Sequence, residues 1–145
     1  MVEERLARVL VVDDEPKILG LLVDALGGQG YRVATAPDGE TALAAATAAP
    51  PSLVLTDLLL PGLDGASLCR QLKADPRTRA VPVLIMSAMA SSLVAEALAD
   101  CPHDGVFGKP FSLVHLFTAI AAFCPRPGRV IGAASSLPGD RSPRL

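Results

Sequence analysis

Short runs of consecutive apolar residues recur along the chain, and between them lie longer stretches in which apolar positions repeat every three to four residues. The short runs are Val9-Leu10-Val11-Val12, Leu53-Val54-Leu55, Val83-Leu84-Ile85-Met86 and Val106-Phe107. Uninterrupted apolar runs of this length, rich in β-branched residues, predict strands buried on both faces. The stretches between them predict helices. Strands are expected at Arg8–Val12, Tyr31–Ala36, Leu53–Thr56, Val83–Met86 and Gly105–Gly108. Helices are expected from Pro16 to about Leu26, Glu40 to about Ala48, Ala66 to about Lys73, Ser91 to about Ala99, and Leu113 to about Phe123. Pro16 suits a first helical turn. Gly27, Gly28 and Gly30 are expected to end the first helix, and Pro50-Pro51 to stop the second. Ser112 is a suitable N-cap for the last. Arg32 gives the second strand an edge character. Five strands alternating with five helices predict an α/β fold, a doubly wound parallel sheet between two helical layers.

A parallel sheet has a chemical consequence. All its strands point the same way, so residues just past their carboxyl ends gather at one edge, where open α/β sheets bind ligands. Here those residues are Asp13, Asp14, Asp57, Ser87 and Lys109. One aspartate after a strand would be read as a cap for the next helix. Two in succession, with a third carboxylate, a hydroxyl and an ammonium at matching strand ends, form a site for a divalent cation and a phosphoryl group. Three carboxylates at one edge repel one another unless a cation neutralises them. Lys109 supplies one positive charge, and Mg²⁺, which takes oxygen ligands and works with phosphate, fits the remainder. Asp57 is the nucleophile candidate, since a carboxylate can attack phosphorus and form an acyl phosphate. Ser87, Lys109 and the backbone N–H of the small Ala88 are placed to receive phosphoryl oxygens.

Composition narrows the remaining classes. The 145 residues carry a formal charge of −2, and half are hydrophobic. One domain with an aliphatic core is expected, because Trp is absent and aromatics make up only 3%. The charge gives no electrostatic footprint for direct nucleic-acid binding. No apolar stretch nears the ~18 residues of a membrane helix, so a cytoplasmic protein without membrane contact is expected. Cys69, Cys101 and Cys124 have neither disulfide-framework nor zinc-ligand spacing, and they read as reduced, buried thiols. His103 reads as a surface loop residue. The domain is expected to span residues 1–124. Residues 125–145, rich in Pro, Gly, Ser and Arg, read as a flexible tail or a shortened linker.

The segments Val11-Val12-Asp13-Asp14-Glu15-Pro16, Asp57-Leu58-Leu59-Leu60-Pro61-Gly62-Leu63-Asp64-Gly65, Met86-Ser87-Ala88 and Lys109-Pro110-Phe111 together resemble the receiver domains of two-component response regulators. The resemblance runs from about Arg8 to Phe123. It implies a flavodoxin-like (βα)₅ fold with strand order 2-1-3-4-5. It implies that Asp57 accepts phosphate from a sensor histidine kinase or a histidine phosphotransfer protein. By the same resemblance Asp14, Asp57 and the Leu59 carbonyl ligate Mg²⁺, and Asp13 holds a metal-bound water. Lys109 and Ser87 bind the phosphoryl group, and the Lys109-Pro110 bond is cis. Such a domain is a phosphorylation-dependent switch more than an enzyme, although it assists its own phosphorylation and dephosphorylation. It signals through its fourth helix, fifth strand and fifth helix to an effector protein or a second copy.

The chain departs from the family pattern at several positions. Val106 stands where receivers usually carry the Tyr or Phe of the switch, and Phe107 is expected on the opposite face of its strand. Pro102 replaces a common glycine, so the end of the fourth helix is expected to be altered. Leu59 and Met89 flank the acceptor and cannot orient an attacking water, which predicts a long-lived phosphate. Surplus apolar residues on the first and last helices, namely Leu19, Val23, Leu26 and Val114, are candidate partner contacts; a densely packed Ala-rich surface is the alternative. Three rivals stand beside this reading. They are an Mg²⁺-dependent aspartyl-phosphate phosphatase, a constitutive binding module, and the amino-terminal piece of a longer regulator.

Overall fold

The computed structural model describes residues 7–125. Its elements run in strict alternation: β1 (Arg8–Val12), α1 (Pro16–Gly28), β2 (Arg32–Ala36), α2 (Gly39–Ala48), β3 (Leu53–Asp57), α3 (Gly65–Ala74), β4 (Val83–Ser87), α4 (Ser91–Ala97), β5 (Gly105–Gly108) and α5 (Leu113–Phe123). The strands form one parallel sheet in the order β2-β1-β3-β4-β5. The expected tail lies outside the described residues, apart from Pro125.

The alternation of side chains along each strand splits the core in two. Leu10, Val12, Val54, Val83 and Ile85 face one way and meet Ala42 and Ala46 of α2, Leu68, Cys69 and Leu72 of α3, and Val94 and Leu98 of α4. Val9, Val11, Leu53, Leu55, Leu84 and Met86 face the other way and meet Leu22 and Leu26 of α1 and Leu116 and Ile120 of α5. The result is three layers, with two helices on one side of the sheet and three on the other. β1, β3 and β4 are buried throughout or nearly so. β2 exposes Arg32, Ala34 and Thr35, in keeping with its place at the edge.

Element ends follow local chemistry, with a few corrections to the sequence reading. α1 runs through Gly27 and Gly28, and the reversal comes at Gly30, the position with positive φ (96°). Asp38, Asp64 and Ser112 cap α2, α3 and α5, each side chain accepting the N–H three residues on. α4 stops at Ala97, two residues short of the expectation, and the chain turns through Cys101-Pro102-His103 into β5. Leu26 is fully buried, so it does not belong to an exposed stripe. It follows Leu22 by one turn and shares its core face, whereas Leu21 and Val23 reach solvent. Leu19 is partly buried against the same core, and Val114 is 69% exposed. His103 lies in the turn between α4 and β5, the loop position expected of it. It is half-buried, and its Nδ1 is enclosed without a hydrogen-bond partner.

Candidate functional site

Four adjacent strand ends, those of β1, β3, β4 and β5, build the site. Asp57 and Ser87 are the last residues of β3 and β4, rather than the first beyond them. The ladder carries on past both. Leu58 N–H donates to the Met86 carbonyl at 2.8 Å, and Lys109 N–H donates to the Ser87 carbonyl at 2.7 Å. Asp57 lies beside Met86 in register, and Ser87 beside Gly108. On the other flank Asp13 N–H donates to Ala36 of β2 at 3.2 Å. The backbone of the sheet therefore fixes the spacing of the functional side chains.

The charges are close and unequal in number. Lys109 Nζ lies 3.0 Å from Asp13 Oδ2 and 3.4 Å from Asp57 Oδ2. Asp13 is fully buried, and its Oδ1 accepts the Glu15 N–H at 2.9 Å. Asp57 keeps 9% of its surface, a narrow opening to solvent, while Asp14 is exposed. Carboxylate oxygens of all three aspartates lie within 4.8 Å of one another. Burial pushes the Asp57 carboxyl above the usual carboxylate range, and the neighbouring Asp13 adds to this. The Lys109 ammonium and the Leu59 N–H act in the opposite direction. Burial disfavours the Lys109 ammonium, but its hydrogen bond to Asp13 and the charges of Asp57 and Asp13 together raise its pKa above the ordinary lysine value. One ammonium shared among three carboxylates leaves the pocket negative. Its donors are all oxygens, a set that suits a hard divalent cation such as Mg²⁺.

The remaining candidates take distinct places. Ser87 is buried, and its Oγ accepts the Met89 N–H at 3.0 Å; Ala88 beside it is exposed. The Lys109-Pro110 bond is cis. Leu59 is 59% exposed, and Met89 packs partly against the core below α4. Val106 and Phe107 point to opposite faces of β5. Phe107 packs towards α1 and α5, with its ring edge-on to Phe111 at 6.4 Å. Val106, 40% exposed, instead lines a cavity of about 420 Å³ with Ser87, Met89, Val94, Leu98 and His103. Leu19, Val23, Leu26 and Val114 lie on helices and contribute nothing to the pocket.

Three supporting residues escaped the sequence reading. Thr56, buried at the end of β3, donates its hydroxyl to the Asp57 carbonyl at 2.9 Å. Its one signal was a polar residue within a buried strand. Glu40 of α2 accepts the Leu63 N–H at 3.2 Å, and its carboxylate fills the space where a Cβ on Gly62 (φ 72°) would project. Gly65 packs so tightly that an added Cβ would overlap the Asp57 carbonyl. Neither contact has a local sequence signature, because each joins segments that only the fold brings together.

Comparisons with known proteins agree with this geometry. The family model described as the response regulator receiver domain matches residues 9–121. The response regulator PleD of Caulobacter vibrioides is 47% identical over 83 residues, which are 57% of this chain and 18% of that protein. The DNA-binding dual master transcriptional regulator RpaA of Synechocystis is 34% identical over 127 residues, 88% of this chain and 53% of that protein. The chain thus spans from about a fifth to about half the length of these relatives. Among solved structures, the receiver domain of a sensor histidine kinase from Pseudomonas aeruginosa superposes with a TM-score of 0.77 at 28% identity. The match covers 82% of this chain and 98% of that one, whose active-site cleft holds a coordinated magnesium ion. With five parallel strands in the order 2-1-3-4-5 and an acidic pocket at their carboxyl ends, the chain belongs to the response regulator receiver domain family.

Proposed function

We propose that the chain accepts a phosphoryl group on the Asp57 carboxylate and acts as a phosphorylation-dependent switch in two-component signalling. The donor is the phosphohistidine of a sensor histidine kinase or a histidine phosphotransfer protein. An Asp57 oxygen attacks phosphorus as the P–N bond breaks, and the imidazole leaves with the bonding electrons. The observation that carries this reading is the Lys109 ammonium held between Asp13 at 3.0 Å and Asp57 at 3.4 Å, with Asp57 alone of those two carboxylates open to solvent. A cation at that point attracts the incoming oxygens and offsets the charge that builds on them. The N–H of the exposed Ala88 and the Ser87 hydroxyl belong to the neighbouring strand end as further donors. Asp14, Asp57 and the Leu59 carbonyl would hold Mg²⁺, with Asp13 acting through a metal-bound water. Bound there, the ion supplies positive charge that offsets the carboxylates and the phosphoryl oxygens.

The output of the switch is carried by α4, β5 and α5, because Ser87 leads directly into α4 and Lys109 directly follows β5. A phosphoryl group drawn to both residues biases those elements, which an effector protein or a second copy then reads. The exposed apolar residues Val23 on α1 and Val114 on α5 are candidate contacts for the phosphodonor and for the downstream partner.

The test is to incubate the chain with Mg²⁺ and acetyl phosphate and to measure intact mass. One added phosphoryl group, labile in base and absent from Asp57→Asn, is expected. Catalytic turnover of phosphate esters would instead support a phosphatase. Partner binding that is unchanged in Asp57→Asn would support a constitutive module.

A further inference from the structure

We propose that Cys69 and Cys101 form a second covalent modification site, an intramolecular disulfide made when a hydroperoxide oxidises the pair. The two thiols come from segments 32 residues apart. Cys69 is fully buried on α3, and Cys101 is 7% exposed in the turn between α4 and β5. Both belong to the same apolar cluster, and Cys101 lies near enough to help raise the pKa of the Cys69 thiol. Cys101 Sγ also lies 3.8 Å from the Ala66 carbonyl, to which it donates. Ala66 precedes Cys69 by one helical turn, so Cys101 sits over that strip of α3.

An independent link holds the same two segments together. Lys73, one turn beyond Cys69, donates from Nζ to Asp104 Oδ2 at 2.9 Å and to the Val81 carbonyl at 2.9 Å. Asp104 Oδ2 also accepts the Val83 N–H at 2.8 Å. Lys73–Asp104 and Cys69–Cys101 are therefore neighbouring rungs between α3 and the turn, and the ion pair keeps the thiols in place. Cys124 packs in the other core, across the sheet, so neither of these thiols can pair with it inside the folded chain.

The chemistry balances with one peroxide. The sulfur of Cys101, the more accessible thiol, attacks the O–O bond of hydrogen peroxide and becomes a sulfenic acid as water leaves. The sulfur of Cys69 then displaces the sulfenic hydroxyl, forming the S–S bond and a second water. Two thiols lose two electrons to the peroxide, and both thiol protons end in water. Burial and the adjoining Cys101 hold the Cys69 thiol up at about 12, so the second step is slow and sustained oxidant is required.

The experiment exposes the reduced, full-length chain to hydrogen peroxide, alkylates remaining thiols under denaturing conditions, and maps peptides without reduction. The expected product is a monomer lighter by two hydrogens before alkylation, with Cys69 and Cys101 cross-linked and Cys124 alkylated afterwards. Cys124→Ala should give the same cross-link, and Cys101→Ala should give none. Asp57→Asn should also form it, which separates this site from phosphorylation. Cross-links to Cys124, intermolecular dimers, sulfinic or sulfonic acids on unpaired cysteines, or no change under sustained peroxide would each overturn the proposal. The wild-type map decides the matter even if a cysteine variant fails to fold.

Discussion

Asp13 and Asp57 carry the same group in different settings, and their partners explain how each behaves. Asp13 is enclosed and tied to Lys109 and the Glu15 N–H. Removing the lysine as Lys109→Met strands a buried carboxylate, which costs about 3 kcal/mol in comparable pairs. Chemical denaturation of the metal-free variant should show a loss of that order, together with loss of acetyl-phosphate-dependent phosphorylation. Asp57 is the opposite case. Burial and Asp13 work against its charge, so Asp57→Asn should melt at a higher temperature than the wild type at neutral pH without added metal. A lower melting temperature would show that Lys109 outweighs both effects. Asp75 supplies a pH test away from the site. Arg77 donates three N–H groups to its carboxylate, holding that pKa down at about 2 against an ordinary 3.8. A depressed carboxylate pKa means its stabilising contribution is complete above 3.8 and is lost as pH falls through about 2. A carboxyl resonance titrating near 2, and moving towards 3.8 in Arg77→Ala, is expected by NMR.

At the scale of elements, helix ends and helix faces make separate demands. The Asp64 side chain accepts the Ser67 N–H at 2.8 Å and starts α3 directly after the loop that follows Asp57. Asp64→Ala should cost about 1 kcal/mol, the usual loss for such a cap. Gly65→Ala should be worse, because its Cβ meets the Asp57 carbonyl, and the variant should also phosphorylate more slowly as that backbone shifts. On α1 the burial pattern separates two leucines from the residue between them. Leu26→Ala should lose about 2–5 kcal/mol, the range for a buried leucine. Val23→Ser, on the solvent side, should leave stability within about 0.5 kcal/mol and slow phosphotransfer from the cognate histidine donor. Unchanged transfer would remove α1 as a donor contact.

For the whole molecule, the sheet acts as a ruler that sets the distances between charges, and the two cores keep it rigid. No helix among the described residues is long and apolar enough to cross a membrane. Between α4 and β5, Val106 lines a cavity of about 420 Å³ next to Ser87. Val106→Phe should fill part of that space and stabilise the α4–β5 contact, read as slower amide exchange in α4. On the proposed reading, the apolar Leu59 and Met89 provide no group to orient water, so phosphate on Asp57 should outlast a decay time of seconds when followed by mass spectrometry.

Much of this architecture was legible from the one-dimensional chain because its causes are local. Consecutive apolar residues specify strands buried on two faces, and Ser112 marks a helix start through its own side chain. Asp13, Asp14, Asp57, Ser87 and Lys109 follow from strand direction, since parallel strands share one carboxyl edge. Other features depended on contacts between distant segments. Leu26 faced inward because its helix docks along the Leu22 side, which periodicity alone left ambiguous among so many apolar residues. Glu40 meets Leu63, and Cys101 meets Ala66 of α3, only after the chain has crossed the sheet and returned. Sequence determined which groups exist and where each strand ends; tertiary structure decided which of them touch, because proximity between residues far apart in the chain is set by packing and not by order.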